Sequence, residues 1–188
     1  ARIGGLAAGA GEPMFRIIAD GEIELLLDEL NQGNFAYDRD FVLKTCLTVL
    51  GKGARYDVGK FRDGSTKEEI IANWDKIANA IKAVRDFVVA KTYIRSDKAL
   101  PSYLALIPLI YFRYHYPQKF AAATGLKEYL LRVLVTSVFS GNPDNLIDKI
   151  VSNIEEQQDF VLSEIFGVIR ADNRSLEITP DVIFNQYY

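Results

Sequence analysis

Apolar residues recur at three- and four-residue spacing through most of this chain, which predicts helices. In Glu22 to Asn31, Ile23, Leu26, Leu27 and Leu30 fall on one stripe, and Gly33 follows as a stop. Asp38 fits the N-cap of a helix from Arg39 to about Leu50, whose buried face is Phe41, Leu43, Cys46, Leu47 and Leu50. Gly51 and Gly53 end it, and Ala54 to Gly64 reads as a loop. Ser65 with Glu68, or Thr66 with Glu69, offers a capping box for a long helix to about Lys91. Ile70, Trp74, Ile77, Ile81, Val84, Phe87 and Val88 keep the helical spacing along it.

Past a break at Asp97 to Ser102, Pro101 suits a first helical turn. The segment Tyr103 to Tyr116 contains Pro108, which removes a backbone donor and clashes with the preceding turn, so a kink or a split is expected there. Pro117 ends that segment. Thr124 caps a helix from about Gly125 to Ser140, Gly141-Asn142-Pro143 turns the chain, and helices follow over about Asp144 to Glu156 and Gln158 to Arg170. Thr179-Pro180-Asp181 starts a last helix after a short extended piece at Ser175 to Ile178. No long stretch alternates, so the fold class is all-α: an irregular multi-helix bundle of about six to eight helices, one of them kinked at Pro108.

Gly4, Gly5, Gly9 and Gly11 disfavour a helix at the start of the chain. The expected organisation is a flexible or partial lead-in over 1–21, a helical domain over 22–170 and a C-terminal extension over 171–188 that begins a helix leading to a missing domain. Ala1 in place of Met, and Tyr187-Tyr188 inside that helix, read as cuts in a longer polypeptide.

Apolar residues make up 49% of the chain, enough to build a core and too many to leave in water. No segment approaches the roughly 20 apolar residues of a membrane span, and no secretory signal is visible, so no membrane partner and a cytoplasmic location are expected. With one cysteine, Cys46, no internal disulfide forms.

His115 is the only histidine, too few for a structural or catalytic zinc set without several carboxylates. It sits in an aromatic run, Tyr111 to Tyr116, with no Gly-x-Ser-x-Gly elbow in the chain. Gly51-Lys52-Gly53 lacks the spacing of a phosphate-binding loop and reads as a helix terminator. Neighbours such as Glu68/Glu69 and Glu155/Glu156 point about 100° apart on a helix and do not converge as an acid–base couple. No catalytic, cofactor-binding or metal-ligating set is assigned.

Charge distribution is the one suggestive feature. Between Lys91 and Val135, Lys91, Arg95, Lys98, Arg113, Lys119, Lys127 and Arg132 face only Asp97 and Glu128, while the whole chain carries −3. Tyr93, Tyr103, Tyr111, Tyr114, Tyr116 and Tyr129 are interleaved with them. Basic residues with aromatics can track a phosphate backbone and stack on bases. The plainer reading is a solvated basic face over core aromatics, and a docking face for another domain is a further one. Lys91, Arg95, Arg113, His115, Lys119, Lys127 and Arg132 form the candidate nucleic-acid or domain-docking face, DNA being the candidate nucleic acid.

From Phe35 to about Ile150, the elements run in order: Tyr37 to Lys44, Leu50-Gly51-Lys52-Gly53, Asn73-Trp74-Asp75-Lys76-Ile77, Leu100-Pro101-Ser102-Tyr103, Leu106-Ile107-Pro108-Leu109 and Phe139-Ser140-Gly141. This order resembles the helical central region of the bacterial family catalogued as domain of unknown function two-six-two, which includes GmrS/GmrD-type, ParB-like modification-dependent restriction nucleases and related phage-defence proteins. The resemblance implies an N-terminal nucleotide-handling domain with an Asp-Gly-Gln-Gln-Arg-type motif and, often, a C-terminal His-Asn-His nuclease domain. Neither motif occurs in this sequence. It therefore implies a connecting, non-catalytic helical scaffold of a larger nuclease or NTPase, whose partners are the flanking domains of the same polypeptide. No catalytic residue carries over, and no cofactor is expected.

Overall fold

The apolar stripes fold as helices in a computed structural model that describes residues 11–62 and 64–187. Among the described residues there are ten α-helices, two 3₁₀ turns and no strand, so the chain is an all-α bundle. One parallel bridge joins Asn34 to Ser96, where Asp97 N–H donates to the Asn34 carbonyl at 2.8 Å.

The first helix, α1 (Gly11–Leu30), begins well before Glu22. Gly11, the last of the four early glycines, lies within it, and a Cβ at Gly21 would meet nothing within 4 Å, so packing does not oppose the helix there. Intrinsic propensity is a weak prior beside that. The expected lead-in is thus helical from Gly11 onward, and its residues 1–10 lie outside those described. Ile23, Leu26, Leu27 and Leu30 are buried, as their stripe predicts.

In α2 (Arg39–Val49), Asp38 is the N-cap, and its Oδ1 accepts from Phe41 N–H at 2.8 Å. The expected loop after it contains a short helix, α3 (Val58–Arg62). The long helix α4 (Gly64–Lys91) then runs parallel to α1, since Glu22 meets Trp74 and Glu29 meets Lys82. Ser65 and Thr66 lie inside α4 rather than capping it, because the helix starts at Gly64.

Pro101 lies between two 3₁₀ turns, Asp97–Ala99 and Tyr103–Leu106, and not in a first helical turn. Pro108 splits the segment rather than kinking a helix. The second 3₁₀ turn ends at Leu106, and α5 (Ile107–His115) starts there with Pro108 in its first turn, where no N–H is required. Pro117 both stops α5 and opens α6 (Pro117–Ala122). Tyr116 before it leaves helical geometry, at φ −129° and ψ 58°, as the residue before proline tends to. These short pieces raise the helix number above the expected six to eight.

The remaining helices are α7 (Leu126–Val135), α8 (Asp144–Gln157), α9 (Leu162–Ala171) and α10 (Pro180–Tyr187). Three helices end in one hydrogen-bond pattern. Lys52 donates to Leu47 and Gly51 to Thr48 after α2. Val138 donates to Val133 and Ser137 to Leu134 after α7. Arg174 donates to Ile169 and Asn173 to Arg170 after α9. This stop needs a left-handed residue, and Gly51, Ser137 and Asn173 supply it at φ 70°, 52° and 59°. Because Ser137 takes that conformation, α7 ends at Val135 and does not reach Ser140. Its start is capped by Gly125 rather than Thr124.

The centre of the bundle is α5. Seven of its nine residues are buried, so it is apolar all round, and it packs against α2, α4, α6 and α8. Phe112 meets Phe160 at 5.5 Å between ring centroids, and Phe160 meets the wholly buried Tyr129 at 5.2 Å. The C-terminal extension also packs down. Leu176 is buried, Arg174 Nη1 donates to the Val138 and Ser140 carbonyls at 2.6 and 2.8 Å, and Thr179 caps α10 through Val182 N–H.

Candidate docking faces

The basic residues singled out in the sequence are set against different neighbours. Lys91 closes α4 and is exposed. Arg95 folds back and donates to the Thr92 and Ile94 carbonyls at 3.1 and 3.0 Å. Lys127 on α7 places its ammonium 5.3 Å from the centre of the Tyr93 ring, so α7 meets the Lys91–Arg95 turn. Lys119 on α6 donates to the Gln158 carbonyl at 2.6 Å, beyond the end of α8. Arg132 reaches the Leu176 carbonyl at 3.5 Å, pairs with Glu128 at 3.5 Å and lies 5.6 Å from the centre of the Phe166 ring. Arg113 is half-buried on α5.

His115 belongs to none of these contacts. At the end of α5 its Nε2 lies 2.9 Å from the Val49 carbonyl, which can only accept, so Nε2 carries the proton. Its ring packs on Tyr111 and Tyr114 at 4.3 and 4.8 Å between centroids. That covering pushes its pKa below 6.5, against the pull of the Val49 carbonyl; Lys76 lowers it further and Glu155 raises it.

The interleaved tyrosines mostly turn inward. Tyr111, Tyr114 and Tyr129 are buried, Tyr103 and Tyr116 half-buried. Three of their hydroxyls are engaged: Tyr129 donates to the Ala105 carbonyl at 3.2 Å, Tyr114 to Asn73 Oδ1 at 3.1 Å, and Tyr103 accepts from Ala36 N–H at 2.8 Å. Burial lifts the Tyr111 phenol to about 12 and Tyr129 well above its ordinary value. Tyr93 alone of the six stands out in solvent, 88% exposed.

Reactive side chains are similarly enclosed. Cys46 is wholly buried in α2, and burial raises its thiol to about 12, which suppresses the nucleophilic thiolate. Among the described residues, no group of three or more His, Cys, Asp or Glu is placed to hold a metal ion. No described helix is long and apolar enough to cross a membrane.

Periodicity did not reveal the groove between α1 and α4. Glu22, Leu25, Glu29, Trp74, Asp75 and Lys82 line it, around about 150 Å³ of open volume. Trp74 Nε1–H donates to Glu22 Oε2 at 3.2 Å, and Lys82 pairs with Glu29 at 2.5 Å. Leu25 is 67% exposed and Ile71, one turn before Asp75 on α4, is 50% exposed. The sequence signal was present: Leu25 is the one leucine of Glu22 to Asn31 off the buried stripe. A second depression, between α8 and α9, holds about 470 Å³. Two of its charged residues are already paired, Asp148 with Ala54 N–H and Lys149 with Asp172. Ile183 and Phe184 add exposed apolar surface on α10.

Against protein-family models and against curated proteins, the sequence finds no match.

Proposed function

We propose that this chain is a non-catalytic helical scaffold domain of a larger cytoplasmic protein, of the bacterial defence-type nuclease or NTPase kind that the sequence resembles, and that its partners are the flanking domains of that polypeptide. The observation that carries the reading is where large apolar side chains stand exposed. Leu25 and Ile71 do so on α1 and α4, and Ile183 and Phe184 on α10. Leu25 opens into the groove between α1 and α4, and Ile183 and Phe184 are neighbours on α10, so the apolar surface suits contact with other protein. Internal packing supports the same reading, since it occupies Cys46 and the hydroxyls of Tyr103, Tyr114 and Tyr129. The purified chain, given nucleoside triphosphates, divalent metal ions and modified DNA, is expected to turn nothing over. Turnover abolished by His115→Ala defeats the proposal. In the full reading frame, an Asp-Gly-Gln-Gln-Arg-like stretch upstream or a His-rich nuclease motif downstream is expected.

One observation favours a second reading, a nucleic-acid-binding module. Tyr93 is exposed beside Lys127 and two residues past Lys91, an arrangement on which a base can stack while cations meet the phosphate. In that case, log affinity for single-stranded DNA falls steeply with log salt, and Tyr93→Ala weakens binding. Absent or salt-independent binding removes it.

A further inference from the structure

We infer that the α1–α4 groove is a docking site for a cationic amphipathic helix of a partner protein, one that inserts a large apolar side chain beside Leu25 and Trp74. The inference rests on the scaffold reading only in treating the chain as a protein-docking unit.

Shape comes first. Two helices running side by side in parallel leave a channel that fits a third helix, one recurrent way in which an amphipathic segment is bound. The open volume of about 150 Å³ is of the size that accepts a phenyl-sized group. Leu25 stands exposed in the channel, and Leu26, Trp74 and Ala78 form part of its wall. A single scattered leucine needs no explanation, but Leu25 shares the groove with Leu26, Trp74 and Ala78.

Charge selects the partner. From Gly21 to Leu30, α1 carries Glu22, Glu24, Asp28 and Glu29 and no basic residue. Lys82 answers Glu29 at 2.5 Å, and Arg39 lies 3.7 Å from Glu24. Among the described residues no cation pairs with Glu22, Asp28 or Asp75, and all three are exposed. Leu25, Leu26, Trp74 and Ala78, edged by the carboxylates of Glu22 and Asp75, are complementary to a helix with one apolar stripe flanked by Lys and Arg. The same surface repels an acidic helix of the same hydrophobicity.

The chain reports on this groove without any label, because Trp74 is its only tryptophan and lies in the wall. The test titrates the whole chain with a Leu/Lys amphipathic peptide of about four helical turns that lacks Trp and Tyr, and separately with its Leu/Glu counterpart. Trp74 emission is followed throughout. The Leu/Lys peptide is expected to shift the emission saturably, the Leu/Glu peptide not at all, and added salt to weaken the effect. Leu25→Asp and Asp75→Lys are each expected to raise Kd at least about tenfold. Both positions are exposed, so folding survives, and unchanged circular dichroism verifies it. Glu164→Lys, an exposed charge change on α9, leaves Kd where it was. Equal binding of both peptides, no binding of either, or variants indistinguishable from the parent overturns the inference. An emission shift that follows protein concentration alone overturns it in favour of a second copy of the chain. None of these results bears on whether the chain catalyses a reaction, so the scaffold reading stands or falls separately.

Discussion

Asp148 on α8 accepts a hydrogen bond from the backbone N–H of Ala54, 94 residues earlier, at 2.6 Å. That bond fastens the turn after α2 onto a helix from the other half of the chain. Lys60 holds the same turn from below, donating to the Lys52 and Arg55 carbonyls at 2.6 and 2.8 Å. Asp148→Ala leaves a buried amide without its partner and is expected to lower stability by about 1–3 kcal/mol. Asp148→Asn, which keeps an acceptor, should lose less. Urea denaturation midpoints decide, and equal losses in the two variants contradict this account.

Lys44 and Asp144 join α2 to α8 through an ion pair whose side chains are only 12% and 14% exposed. Removing one partner strands the other charge away from water. Lys44→Met is expected to destabilise by about 3 kcal/mol, while Lys44→Met with Asp144→Asn recovers a large part of that loss. A double variant no more stable than the single one would show that the pair is more than local charge compensation.

Two tyrosine hydroxyls give opposite expectations. Tyr129 is wholly buried and donates to the Ala105 carbonyl, so Tyr129→Phe should cost about 1 kcal/mol. Tyr37 is also buried, against Phe41 and Tyr103, but its hydroxyl finds no partner. Tyr37→Phe removes a polar group that was desolvated without return, and stability should hold or rise by up to about 1 kcal/mol. Thermal melts of the two variants, run side by side, test the contrast.

His115 makes stability depend on pH in a fixed direction. Its pKa in the folded chain lies below the ordinary 6.5, so the unfolded chain takes up its proton first as the solution acidifies. The contribution is complete above pH 6.5 and is lost as pH falls through the folded value. His115→Gln should therefore lose less stability than the parent between pH 7.5 and pH 5. As the only histidine, it also gives one imidazole resonance in NMR, whose titration midpoint is expected below 6.5.

The sequence exposed the bundle best where local chemistry decides. Asp38 as a cap, the four-residue stripe of α1, the opening of α8 after Pro143 and Thr179 before Pro180 all follow from side-chain oxygens, proline geometry and spacing. The end of α7 did not, because a serine performs there the left-handed turn that Gly51 performs after α2. That strain suggests a further variant. Ser137→Gly should raise stability by about 0.5 kcal/mol, relief of the left-handed conformation outweighing the added freedom of the unfolded chain. Thermal denaturation measures it, and a drop of similar size would show that Ser137's side chain matters more than its backbone. The basic segment was legible as a count but not as a place. Linear spacing could not foretell that Arg132 would turn to Leu176, Lys119 to Gln158 and three of the tyrosines to the core. The groove beside Trp74 arises from two helices that are distant in sequence, so only their packing creates it.

Since α5 is gripped by α2 and α4 from upstream and by α6 and α8 from downstream, the two halves of the described chain share one core. A cut on either side of α5 takes away half of the sheath around a helix that has seven of its nine residues buried. A nascent chain can therefore complete the sheath of α5 only after α8 has been synthesised.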